Sequence, residues 1–139
     1  DKDTLFSSSD IVSVHVQLSQ RTRGLVGARE LSLMKPNSYL VNISRGPIVE
    51  EPALISALQR RSIAGAALDT FDIEPLPKGH PFLSLDNTLL APHTGYVTEE
   101  SYRAYYGGVL EDIQAFAAGE PIRVVNPEVL DSPQFKGPV

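Results

Sequence analysis

Apolar residues follow two different rhythms along this chain. Short runs rich in β-branched or small residues, IVSVHV at 11–16, YLVNI at 39–43, IAGAAL at 63–68 and TLLA at 88–91, read as four strands. Apolar positions 11, 12, 14 and 16 predict a first strand buried on both faces, as in a parallel sheet. Between the runs the spacing lengthens to three and four. A short helix is predicted from Ala28 to Met34, stopped by Lys35-Pro36. A second begins at Glu50-Glu51-Pro52, where carboxylates face the positive end of the helix dipole and proline forfeits no hydrogen bond. Leu54, Ile55 and Leu58 form its apolar face, and Arg60-Arg61 suit its end. After Thr98, Glu99 and Glu100, the series Tyr102, Tyr105, Tyr106, Val109, Leu110, Ile113, Phe116 predicts a long helix to about Ala118, with Gly119 just past it. Those large residues are expected to pack. Gly107-Gly108 costs about 1 kcal/mol per glycine relative to alanine, which suggests a close backbone or a bend. Residues 1–10 and 17–26 read as polar connections, and the proline-rich stretch 120–139 as a tail whose one extended run is Ile122–Val125.

The resulting order is strand, helix, strand, helix, strand, loop, strand, helix, which predicts an α/β fold with crossovers onto a parallel sheet. At 139 residues and 42% hydrophobic content the chain is about one domain with a real core. A net charge of −5, without a basic run, argues against nucleic acid or an anionic membrane as partner. Without cysteine there are no disulfides or thiolate metal ligands, and no metal site is expected. No apolar run approaches the roughly 18 residues of a membrane span, so a cytoplasmic protein is expected. Neither G-x-G-x-x-G nor a P-loop is present.

In a parallel sheet every strand ends at the same edge, and ligands of open α/β sheets bind outside that carboxyl edge. The turn Ser44-Arg45-Gly46-Pro47 follows the second strand. Asp69 closes the third, a loop with Glu74, Pro75, Pro77, His80 and Pro81 follows it, and Pro92-His93 follows the fourth. Asp69, Glu74 and His93 are therefore expected to meet, although distant in sequence.

Three segments carry a resemblance: NISRGPIVE at 42–50, ALDTFDIEPLP at 67–77 and APHTG at 91–95. In this order they resemble the D-isomer-specific 2-hydroxyacid dehydrogenases. The resemblance implies a partial Rossmann-like, doubly wound parallel sheet, the second mononucleotide half of a three-layer α/β/α domain. Residues 1–120 would be that half of a dinucleotide-binding domain, and 121–139 a tail crossing back toward a substrate domain. The phosphate loop would precede Asp1, so a fragment, inactive by itself, is expected. The implied activity is hydride transfer between NAD or NADP and a small 2-oxo or 2-hydroxy acid, in a protein that is a homodimer at full length.

The resemblance also assigns roles. His93 becomes the acid and base at the substrate's 2-hydroxyl, a task suited to a group titrating near neutrality. Glu74 becomes its partner, an anion that favours imidazolium. Arg45 becomes the substrate-carboxylate ligand, since a planar guanidinium can make two parallel hydrogen bonds where lysine cannot. Asp69 becomes the contact to the nicotinamide carboxamide. Val16, Gln17 and Leu18 match the adenosine side of the cofactor site, and Ser44, Arg45, His93 and Gly95 complete the cofactor contacts. Tyr96, where the family often has glycine, and Pro47 beside Arg45 are departures that would reshape the pocket.

Each residue has a plainer reading in isolation. A lone arginine in a turn is usually solvated, an aspartate after a strand is often a cap, and His93 could satisfy loop backbone. His80 is expected to shape the proline-rich turn. His15 is expected to be a hydrogen-bonded histidine of the core or a pocket wall. A dinucleotide-sensing binding protein, similar to corepressors on the same fold, is the alternative to an enzyme.

Overall fold

The computed structural model describes residues 1–133, 135 and 137. They form two compact units, Asp1–Gly95 and Tyr96–Val139. The first holds α1 (Lys2–Ser8), β1 (Ile11–Val14), α2 (Ala28–Leu33), β2 (Tyr39–Asn42), α3 (Glu51–Gln59), β3 (Gly65–Leu68) and β4 (Thr88–Leu90). Short 3-10 turns occupy Gly46–Ile48 and Pro81–Ser84. The strands are parallel in the order β1-β2-β3-β4, with Ile11 opposite Tyr39 and Tyr39 opposite Gly65. Each strand appears where the apolar runs put it, shortened by one or two residues.

The first ten residues differ from expectation. Rather than a polar connection they form α1, because Asp1 caps it by accepting the Thr4 N–H at 2.8 Å and Phe6 supplies a buried contact. Salt bridges tie it to α2: Lys2 Nζ lies 2.9 Å from Glu30 Oε1, and Arg29 pairs with Asp3. Glu30 is almost fully buried and also accepts the Gly27 N–H at 3.0 Å. Burial raises its carboxyl, but the Gly27 N–H and Lys2 outweigh that and hold it down to about 2.

The core lies on one face of the sheet. Val12, Val14, Leu40, Ala66 and Leu68 point into it and meet Leu31, Leu54 and Leu58 from the helices. Burying a leucine side chain contributes about 2 kcal/mol. The opposite face is open within residues 1–95: Ile11 is 64% exposed and Leu89 72%. Burial of β1 on both faces is therefore not found within residues 1–95. Same-handed crossovers that advance strand by strand in one direction deliver their helices to a single face. His15, expected as a hydrogen-bonded histidine of the core or a pocket wall, is hydrogen-bonded and lies on the open face. It is exposed, not in the core, and its Nε2 is 2.8 Å from the Ser13 hydroxyl.

The second unit consists mainly of α4 (Glu99–Ala117), followed by a 3-10 turn at Pro127–Asp131. Thr98 caps α4 by accepting the Ser101 N–H, and Gly119 takes the left-handed conformation at its end (φ 80°). The tyrosines and Phe116, expected to pack, are exposed, Tyr106 to 65%. Within this unit, nothing beyond the neighbouring residues and the helix's own backbone lies within 4 Å of where a Cβ on Gly107 or Gly108 would stand. Residues Ile122–Val125 form no strand, and Pro138, part of the expected tail, lies outside the described residues. No helix among the described residues is long and apolar enough to cross a membrane.

Candidate active site at the carboxyl edge of the sheet

Three loops leave the carboxyl ends of β2, β3 and β4, and each is held by a side-chain acceptor on its backbone N–H groups. Asn42, the last residue of β2, is 1% exposed and works in both directions. Its Oδ1 accepts the Ser44 N–H at 3.1 Å and its Nδ2 donates to the Arg45 carbonyl at 3.0 Å. This pins the turn that presents Arg45, an Asx arrangement that the asparagine before Ser-Arg-Gly-Pro could have signalled. Ser44 Oγ donates to the Val16 carbonyl at 2.5 Å, joining this turn to the loop after β1. Val16 and Gln17 are exposed there, while Leu18 packs partly on the core.

Gly46 follows Arg45 and touches the next loop. A Cβ there would stand 2.0 Å from the Phe71 carbonyl carbon, so only glycine allows the two backbones to lie this close. Arg45 itself is exposed, its Nη1 donating to the Ser44 carbonyl at 2.6 Å.

Asp69, just beyond β3, is 6% exposed. Its two carboxylate oxygens accept the N–H groups of Thr94 and Gly95 at 2.8 and 2.9 Å. The expected cofactor contact is thus also a strap across the loop after β4. His93 precedes this strap in the left-handed region (φ 56°), which costs a non-glycine residue about 1–2 kcal/mol. Two hydrogen bonds to a charged acceptor offset that.

His93 and Glu74 meet as expected. His93 Nδ1 donates to Glu74 Oε2 at 2.7 Å, and Glu74 Oε1 accepts the Phe71 N–H at 2.9 Å. Burial raises the Glu74 carboxyl, but His93, the Phe71 N–H and the Arg45 charge lower it by more. Glu74 is therefore ionised at neutral pH, and Arg45 lies within electrostatic reach of the pair. The bond from Glu74 to Pro75 is cis. A largely apolar cleft of about 510 Å³ opens beside the pair, lined by Phe71, Leu76, Leu83, Leu90 and Pro92 among others.

His80, in the proline-rich loop, pairs with a different carboxylate from His93. Its Nε2 is 3.0 Å from Glu51 Oε1, in the first turn of α3. Sequence reading missed Glu51 in this pairing because the partners are 29 positions apart.

A parallel sheet whose carboxyl edge gathers an arginine, a strapped aspartate and a glutamate–histidine pair has the form of an open α/β domain, in which ligands bind outside that edge. Comparison with known proteins narrows the class: the chain belongs to the D-isomer specific 2-hydroxyacid dehydrogenase family, whose NAD binding domain model matches residues 1–95. Glyoxylate reductase of Thermofilum pendens is 45% identical over 131 residues, covering 94% of this chain and 39% of that protein. A crystal structure of phosphoglycerate oxidoreductase from Vibrio cholerae superposes with a TM-score of 0.78 at 43% identity, over 85% of this chain and 38% of that one. The NAD-complexed D-isomer specific 2-hydroxyacid dehydrogenase of Lactobacillus delbrueckii matches with a TM-score of 0.76 at 34% identity, over 88% of this chain and 42% of that one. The chain thus spans about two-fifths of the length of the relatives it matches.

Proposed function

We propose that this chain supplies the acid–base side of an NAD- or NADP-dependent oxidoreductase that interconverts 2-oxo acids and D-2-hydroxy acids. The observation that carries the proposal is the 2.7 Å bond between His93 Nδ1 and Glu74 Oε2 at the carboxyl edge of the sheet. The nicotinamide, when bound, donates or accepts the hydride at C2 of the substrate. His93 Nε2 gives a proton to the carbonyl oxygen as it gains charge, or takes it from the hydroxyl in reverse. Glu74 keeps the other proton on Nδ1 and balances the imidazolium. Positioned proton transfer of this kind is worth roughly 10² to 10⁴ in rate. Arg45 receives the substrate carboxylate and polarises the carbonyl.

The residues at hand fit the cofactor. Each Asp69 oxygen spends one lone pair on a backbone N–H and retains another, and an amide such as the nicotinamide carboxamide is the matching donor. Gly95 borders that position, Ser44 would complete the cofactor contacts, and Val16, Gln17 and Leu18 would line the adenosine side. The named relatives are enzymes, and no observation favours the cofactor-sensing alternative. We further infer a cytoplasmic homodimer, with the exposed apolar row of α4 supporting the dimer; light scattering of the whole protein would reveal a monomer if this is wrong.

The test is oxidation of NADH and of NADPH by the whole protein with glyoxylate, hydroxypyruvate, pyruvate and a phosphorylated 2-oxo acid. Turnover with at least one supports the proposal. Measurable nucleotide binding without turnover of any of them contradicts it.

A further inference from the structure

Glu74 sits on a loop that is largely exposed from Asp72 to Gly79, yet its pairing with His93, as a proton-transfer pair, needs a fixed geometry. The contacts around Glu74 lead back to a residue that no role above uses. Glu74 is oriented by the Phe71 N–H. Phe71 is 7% exposed, its carbonyl is jammed against Gly46, and its ring packs on Phe82, centroid to centroid 6.4 Å. Phe82, 2% exposed, is held in turn by His80: their rings lie 5.0 Å apart, and the Phe82 N–H donates to His80 Nδ1 at 3.3 Å.

An imidazole nitrogen that accepts an N–H carries no proton, so the proton of neutral His80 is on Nε2. That nitrogen donates to Glu51 Oε1 at 3.0 Å, with both side chains mostly shielded from water. Glu51 belongs to α3, which is packed on the sheet through Leu54 and Leu58. One side chain therefore clamps the returning limb of the exposed loop to a rigid helix, and the two phenylalanines connect that clamp to the peptide that aims Glu74.

We propose that His80 is a positioning residue for the acid–base pair, acting through Glu51 on one side and through Phe82 and Phe71 on the other. The inference rests on the reading of Glu74 and His93 as that pair. Its effect falls on the chemical step: loss of the clamp lets the Glu74 carboxylate wander from His93, while the Asp69 strap and the turn at Ser44 are untouched.

The experiment is a double-mutant cycle in the whole protein, measuring kcat and KM for the nucleotide in wild type, His80→Ala, Glu74→Gln and the double variant, with thermal unfolding as a folding control. His80→Ala is expected to lower kcat about 10-fold, a part of the roughly 10² to 10⁴ available from positioned proton transfer, with nucleotide KM unchanged. In the Glu74→Gln background the same change is expected to alter kcat by less than about 2-fold, because the charge it positions is already gone. Glu51→Ala should reproduce the loss with His80 intact, and Glu51→Gln, which keeps an acceptor, should restore most of it. If His80→Ala does not fold, His80→Gln, whose amide reaches Glu51 but places no acceptor at the Nδ1 position that meets Phe82, is expected to show an intermediate kcat with the same dependence on Glu74. An unchanged kcat in the His80 variants, or an equal loss in both backgrounds, would overturn the inference while leaving the acid–base reading intact. An unchanged kcat in Glu74→Gln alone would overturn that reading and this inference with it.

Discussion

Glu74 and His93 lie 19 positions apart and at the ends of different strands, yet their side chains meet at 2.7 Å. Parallel β3 and β4 make this possible by ending at the same edge. Phe71 on one side and Asp69 on the other then fix the two loops that close the gap. Replacing Glu74 by glutamine preserves its shape and removes its charge. In the whole protein this is expected to lower kcat about 10- to 100-fold, within the range of general acid–base catalysis, with little change in nucleotide KM. Steady-state kinetics checks it.

Arg45→Lys keeps the charge and loses the planar fork. The expected result is a rise of about 10-fold or more in KM for the 2-oxo acid, equivalent to one bidentate charged hydrogen bond of about 1.5 kcal/mol, with nucleotide KM unaffected. A KM shift confined to the nucleotide would assign Arg45 elsewhere.

Asp69→Ala leaves two N–H groups of a strained loop without acceptors. A loss of about 2 kcal/mol is expected from the missing charged acceptor, read from urea unfolding, together with weaker nucleotide binding.

Gly46→Ala forces a methyl into the Phe71 peptide. Overpacking of this kind costs about 3 kcal/mol, and because the displaced residues flank Arg45 and aim Glu74, stability and kcat are expected to fall together.

Glu30 governs stability in acid. Its folded carboxyl is held down to about 2 from 4.5, so it stabilises the fold above pH 4.5 and loses that contribution as pH falls toward 2. The contribution is about 3 kcal/mol at neutral pH. Glu30→Gln is expected to be less stable than wild type at pH 7 by up to that amount, with the gap closing near pH 2, as urea titrations at the two pH values would reveal.

The strands were legible because Ile-Val, Leu-Val and Ala-Ala-Leu runs bounded by polar turns have few alternatives. So were α3 and α4, whose Glu-Glu-Pro and Thr-Glu-Glu starts match their dipoles and caps. The helix α1 was not, because its amphipathic signal reduces to Phe6 among polar residues. The motif residues at the edge followed from their order along the chain, but what holds them did not. Asp69 as a strap depends on the left-handed turn at His93, and the His80–Glu51 clamp on a tertiary approach that no local pattern encodes. The α4 tyrosines, exposed within this chain, show the limit of periodicity: it says which residues share a face and nothing of what covers it.

The central claim is that His93 is the proton donor of a 2-oxo acid reductase, and His93→Ala in the whole protein tests it most directly. With NADH and the best 2-oxo acid from the panel, kcat is predicted to fall at least about 10²-fold while nucleotide affinity stays within a few-fold of wild type. A variant that turns over at the wild-type rate would contradict it.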